Sequence, residues 1–461
     1  MLSDSNISRI LEAALGKKAD FADVFIENVK TSNVSLLNNK VTKAGSAVDI
    51  GIGIRVMSGT NSVYVYSNDP DPDQLIKLAS EASTAVCKGE GASVELMEKI
   101  RRYRQAYIKT SAFDKSKKDY VDFLRKGLDY ASSYDPMITQ TTGGLNASSR
   151  TIRVVNTRGV NIEESSERMR LALSVVATNG NEKQTGSVSP GTRLGYEFIE
   201  NYPIIDKIKD CCDSAIRMAG CGYAPSGKMP VVIGNGFGGV IFHEACGHAL
   251  EASSVGVDAS YFCGKLGKQI ASPVVSARDN ARIEGEWGSY NYDDEGNESS
   301  DLQLIKDGIC TNYLIDELGS RRMGMKATGC ARRQDYSYAP TSRMSNTYIE
   351  NGKDEPKDII ADTEYGLYAT KMGGGSVNTA TGDFNFAVNE AFMIRNGKIC
   401  EPVRGATLIG KGGEVLMNID RVGNDLKQSA GVCGASSGSV PVNVGQPTIR
   451  VSSIIVGGRD S

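Results

Sequence analysis

The segment Gly238-Gly239-Val240-Ile241-Phe242-His243-Glu244-Ala245-Cys246-Gly247-His248-Ala249-Leu250-Glu251 holds both histidines of the 461-residue chain, with a glutamate beside the first. Neutral imidazoles suit zinc, and a carboxylate next to a metal ligand can move a proton. In the short zinc-protease motif the histidines stand at i and i+4, on one face of a helix. Here the spacing is five, which on a regular helix sets the two side chains roughly 140° apart, too far round for one small cation. A π-type turn, with its i to i+5 hydrogen bond, returns them towards one face. Gly247 is where that distortion is expected.

A catalytic zinc needs a third protein ligand and one open position. With no further histidine in the chain, a thiolate or carboxylate must serve. Cys246, Glu251 and Asp258 lie nearby; Cys263 and Cys433 are more distant. Spacing leaves all five open. Glu244 is expected to act as general base on a zinc-bound water and to pass the proton to the leaving amine. The plain alternative is a buried helix with two incidental histidines.

Outward from the motif, residues 230–233 read as a strand, followed by Gly234-Asn235-Gly236-Phe237-Gly238-Gly239. This matches a dinucleotide fingerprint, but the second parallel strand such a site needs would fall on 252–257, where two serines and a glycine make a poor buried strand. A turn that lets backbone pass close to the metal helix is the expectation. Downstream, 310–315, 386–394, 398–403, 440–444 and 448–456 read as strands between glycine turns. Asp293-Asp294-Glu295-Gly296 reads as a solvated turn, and the pairs Arg321-Arg322 and Arg332-Arg333 as surface charge.

Upstream, Ile7, Ile10, Leu11, Ala14 and Leu15 form one helical stripe. Short β-branched runs at 22–29, 34–37, 47–57 and 63–66, with turn formers such as Asn38-Asn39, predict an antiparallel meander. Helices are expected from Asp71-Pro72-Asp73 onward and over 116–131 and 203–219, with strands at 150–155, 161–163 and 169–177. The Gly220 to Gly227 stretch breaks the last helix and sets a boundary near Gly222. The fold class is α+β in two domains, 1–222 and 223–461, with antiparallel sheets, flanking helices and the metal-binding helix in the C-terminal domain.

A net charge of -3 and a pI near 5.7 leave no basic surplus for a nucleic-acid partner. No apolar run approaches the ~20 residues that cross a bilayer, and no leader pattern opens the chain. A cytoplasmic protein without membrane contact is expected, its ten cysteines reduced and mostly buried.

The chain also resembles the TldD family of zinc metallopeptidases. Besides His243 to His248, the resemblance rests on Gly264-Lys265-Leu266-Gly267, Met344-Ser345-Asn346-Thr347-Tyr348, Gly373-Gly374-Gly375, Thr381-Gly382-Asp383-Phe384, Val422-Gly423-Asn424-Asp425-Leu426 and Gly431-Val432-Cys433-Gly434. It implies a zinc held by His243, His248 and Cys433, with Glu244 as catalytic base, acting on unfolded or small peptides. It further implies an active TldD-type subunit that works beside a related TldE or PmbA subunit or as a homodimer. Cys246 departs from the small aliphatic residue usual at that position.

Overall fold

The computed structural model of the chain describes residues 2–16, 19–86, 93–95, 98–105 and 107–459. It is an α+β protein whose strands lie mainly in antiparallel sheets. Every strand of the first eight-stranded sheet comes from residues 21–192. The expected short runs are fragments of much longer strands. Phe21–Leu37 and Lys40–Ser58 form one hairpin, turned by Asn38 and Asn39 at φ 45° and 61°. Asparagine tolerates this left-handed backbone, and two such residues match the twist of the strands. Ile138–Asn156 and Asn161–Asn179 form a second pair of the same kind. Polar residues such as Glu27, Arg150, Glu164 and Arg168 interrupt the apolar pattern without interrupting the backbone ladder.

Two amphipathic helices cover one face of this sheet. Ser116 and Asp119 close a capping box at the start of Lys117–Ser132, which buries Tyr120, Leu124 and Leu128 beside Ile208 and Cys212 of Ile204–Gly220. The first helix, Asp4–Leu15, buries the five apolar residues its stripe predicts.

The remaining sheets come from residues 222–457. Gly227–Ile233, Tyr365–Val377, Asp383–Arg395, Thr407–Lys411 and Ile449–Gly457 pair in a closed ring. Beside it lies a six-stranded sheet that ends in Gly438–Gln446 and then Lys427–Ala435 at the edge. The motif segment threads between ring and sheet: Phe242, Cys246 and Leu250 share one core with Ile233, Phe386, Val442 and Val444. Of the strand expected over 310–315 only Ile309–Cys310 forms, with Leu314 in a lone bridge to Glu251. Ala252–Val255 is a short helix, so the partner strand of a dinucleotide site is missing.

Charged residues lock the two halves together, and here two expectations are corrected. Asp293, Asp294 and Glu295 are no solvated turn but are all buried, as are Arg332 and Arg333. Arg55, from the long hairpin, is 2% exposed and lies between Asp23 at 2.5 Å and Glu295 at 2.6 Å. Arg150 bridges Glu27 to Asp294. Backbone donors also satisfy these carboxylates, which is why acidic residues can be buried here. Of the expected surface pairs, Arg321 ties Asp20 to Glu317 across the same seam. No helix among the described residues is long and apolar enough to cross a membrane.

Candidate metal centre

The backbone departs from an α-helix where the five-residue spacing requires it. Val240–Phe242 is one α-turn, His243–Gly247 is π-helical, and His248–Leu250 tightens to a 3-10 turn. The His248 backbone N–H donates to the His243 carbonyl, which is the i to i+5 bond itself. Gly247 faces the Met344 side chain so closely that a Cβ there would stand 2.1 Å from the sulfur. Gly239 packs against the Gly445 backbone, where a Cβ would come within 2.5 Å. These close approaches press the motif against the six-stranded sheet, and so against Cys433.

The π-turn puts the two imidazoles at 84° to each other with ring centres 5.1 Å apart. His243 Nε2 lies 3.1 Å and His248 Nε2 3.2 Å from Cys433 Sγ. Cys433 stands 185 and 190 residues beyond the two histidines in sequence, yet the three donors lie within 4.8 Å of one another. Burial opposes the Cys433 thiolate, but the two imidazoles outweigh it and hold the thiol down at about 3, so a thiolate stands ready as a soft ligand. Glu251 accepts a hydrogen bond from His248 Nδ1 at 3.0 Å, turning Nε2 towards the thiolate. Burial disfavours the charged His248 ring, yet Glu251 and Cys433 raise its pKa well above the ordinary value. Three nitrogen and sulfur donors with a carboxylate behind one imidazole fit a borderline-soft divalent metal with one position left open.

Glu244 lies on the same turn, with Oε2 3.9 Å from His248 Nε2. Burial raises its carboxyl above the usual range. The other candidates take no part in the cluster. Glu251 acts behind His248, Cys263 Sγ donates to the Val255 carbonyl, and Asp258 adopts a left-handed φ of 55° in a loop. Cys246 is fully buried on the apolar side, and burial pushes its thiol well above the ordinary range. The described cysteines are all free, and six of the nine are buried.

Sequence reading did not find the strand that carries Cys433, Lys427–Ala435, because Ser429, Ala430, Gly431 and Gly434 leave no apolar alternation to read. It also missed Arg343, fully buried, whose Nη2 donates to the Cys433 carbonyl at 2.5 Å and anchors that strand. A cavity of about 670 Å³ runs along residues 428–432 of the strand, closed on its far side by Ser187, Pro190 and Gly191 from the N-terminal half.

The family model of the PmbA/TldA metallopeptidase C-terminal domain matches residues 226–458, and those of domain 1 and of the central domain match 22–86 and 94–220. The chain belongs to the PmbA/TldD metallopeptidase family. Within this family, the metalloprotease TldD homolog of Buchnera aphidicola subsp. Acyrthosiphon pisum is 32% identical over 99% of this chain and 96% of its own length. The metalloprotease TldD homolog of Haemophilus influenzae is 33% identical, over 100% and 97%. The solved structure of TldE from Thermococcus kodakarensis has the same fold: TM-score 0.76, 18% identity, and coverage of 98% of this chain and 99% of that one.

Proposed function

We propose that this member of the PmbA/TldD family is a zinc-dependent peptide hydrolase, with the metal held by His243, His248 and Cys433 and with Glu244 as general base. The observation that carries the reading is the convergence of both imidazole Nε2 atoms on a buried cysteine, with an ionisable carboxylate on the same turn. Bound there, zinc would supply Lewis acidity towards a carbonyl oxygen and towards water. Glu244 takes the proton from the attacking water as its oxygen bonds to the scissile carbonyl carbon, then gives that proton to the departing amine nitrogen as the C–N bond breaks. Its raised pKa suits both halves of this transfer. Glu251 keeps the His248 ring in place, and Arg343 keeps the Cys433 strand in place. A closed structural zinc site would have four protein ligands, so the three-donor set favours catalysis over a peptide-binding module with a structural metal.

The substrate reading is an unfolded or small peptide. Lys427–Ala435 is an edge strand, so an extended peptide in the adjoining cavity can pair with its backbone before Gly431, since the Gly431 and Cys433 carbonyls already accept from Trp287 and Arg343. We further propose two domains, 1–222 and 223–461, a TldE/PmbA-type partner or a second copy of this chain, and the cytoplasm as location, which suits the nine described cysteines, all free. The test is Glu244→Gln in the purified chain, assayed with and without such a partner. Metal content should be kept while peptide hydrolysis falls about 10²- to 10⁴-fold. Hydrolysis at the wild-type rate would refute the role of Glu244.

A further inference from the structure

A second cavity, of about 190 Å³, lies at the junction of the two halves and is separate from the metal centre. Its floor is the polar face of the long-stranded sheet, with Arg150 and Arg168, and its roof comes from the C-terminal half, with Trp287, Tyr290 and Arg332. Both oxygens of each carboxylate in the wall already accept hydrogen bonds. Glu27 takes Arg150 and the Tyr336 N–H; Glu164 takes Arg193, Asn291 and the Tyr292 N–H. Asp293 takes the N–H groups of Glu295 and Ala331, and Asp294 takes Arg150 and the Arg333 N–H.

Of the guanidiniums, Arg168 and Arg332 are not matched in this way. Arg168 is 9% and Arg332 6% exposed, and among the described residues neither has a carboxylate within ion-pair distance. Among the described residues Arg168 donates only to the carbonyls of Trp287 and Ser289, and Arg332 only to that of Met344 while lying 5.1 Å over the Tyr290 ring. Arg150, by contrast, is paired with Glu27 and Asp294, and its Nη2 is closed off from the cavity. Burial depresses the pKa of Arg168, and the nearby charges of Arg193, Arg332 and Arg150 depress it further. An uncompensated buried cation is costly, and water in the cavity would solvate but not neutralise it.

We propose that this cavity is a binding site for a small singly charged oxyanion, gripped by Arg168 and Arg332. The planar fork of arginine matches carboxylate and phosphate oxygens, and the surrounding carboxylates select against higher charge. The ligand is the carboxylate of a small acid or peptide, or dihydrogen phosphate. The site does not depend on the hydrolase reading.

The experiment is thermal unfolding of the metal-loaded chain while sodium formate or sodium phosphate replaces sodium chloride at constant ionic strength. The expected result is a saturable rise in Tm, lost in Arg332→Met, and in Arg168→Lys displaced at least tenfold to higher anion concentration. The stronger of the two responses identifies carboxylate or phosphate as the ligand. Cys433→Ser should keep the response, which separates this site from anions bound at the metal centre. The proposal is overturned if no saturable rise occurs, if Arg168→Lys responds like the wild type, or if the response disappears in Cys433→Ser.

Discussion

The metal centre and the junction between the two halves both gather buried ionisable side chains, but they satisfy them differently. At the junction, Arg55 lies between Asp23 and Glu295, and Arg150 between Glu27 and Asp294, so charges answer one another across the seam. At the candidate metal centre, two imidazoles and a thiolate point at a common space, an arrangement that could hold a cation. The first arrangement holds the two halves of the chain together; the second uses that rigidity to aim ligands. Damage at the junction should therefore be read in stability with the metal still bound, and damage at the centre in metal content with the fold still intact.

The largest expected effect is at Cys433. Cys433→Ser removes the thiolate and should bring bound metal to background while leaving the unfolding midpoint of the metal-free chain near that of the metal-free wild type. A variant that still bound zinc stoichiometrically would break the contrast between the two clusters. Next comes Arg55→Met, which leaves the buried Asp23 carboxylate without its cation and Glu295 without its guanidinium donor. It should cost about 3–5 kcal/mol in urea unfolding, with metal per folded molecule unchanged.

Glu251→Gln sharpens the comparison from the other side, since it weakens a support of the metal ligands without removing a ligand. Metal affinity measured by chelator competition should fall about 10- to 100-fold. The smallest effect is a change of slope with pH. Burial, with Asp316 and Asp293 nearby, raises the Glu295 carboxyl from 4.5 to about 8 despite Arg55. The folded chain therefore holds this proton more firmly than the unfolded chain. The resulting stability is complete below pH 4.5 and is lost as pH rises through about 8. Urea unfolding across that interval should show a shallower decline in Glu295→Gln than in the wild type. Equal slopes would mean that Arg55 keeps Glu295 ionised.

The parts of the metal centre that depend on local spacing were legible in the sequence. A spacing of five between the only histidines demanded a π-turn, and the His248 N–H to His243 carbonyl bond is that turn. The third donor was not legible from spacing. Only the family resemblance pointed to Cys433, because its strand is built of Ser, Ala and Gly and carries no hydrophobic period. Long strands were truncated for a related reason. The runs expected at 161–163 and 169–177 stop on either side of Glu164 and Arg168, but Glu164 accepts from the Tyr292 N–H and Arg168 donates to the Trp287 carbonyl on the other half of the chain, and a local window contains no such partner. The same blindness made Arg332-Arg333 and Asp293-Asp294-Glu295 look like surface. Helix positions fared better, since the stripe from Ile7 to Leu15 and the Ser116/Asp119 cap are complete within one window.

Trp287 is the single tryptophan of the chain. Its indole N–H donates to the Gly431 carbonyl at 2.8 Å, two residues from Cys433, while its side chain also lines the arginine-rich cavity. The molecule thus carries its one indole fluorophore at the partition between its two candidate binding spaces. Emission from an otherwise tryptophan-free protein becomes a label-free optical reporter, responsive from one side to the polarity of the cavity and from the other to movement of the Cys433 strand.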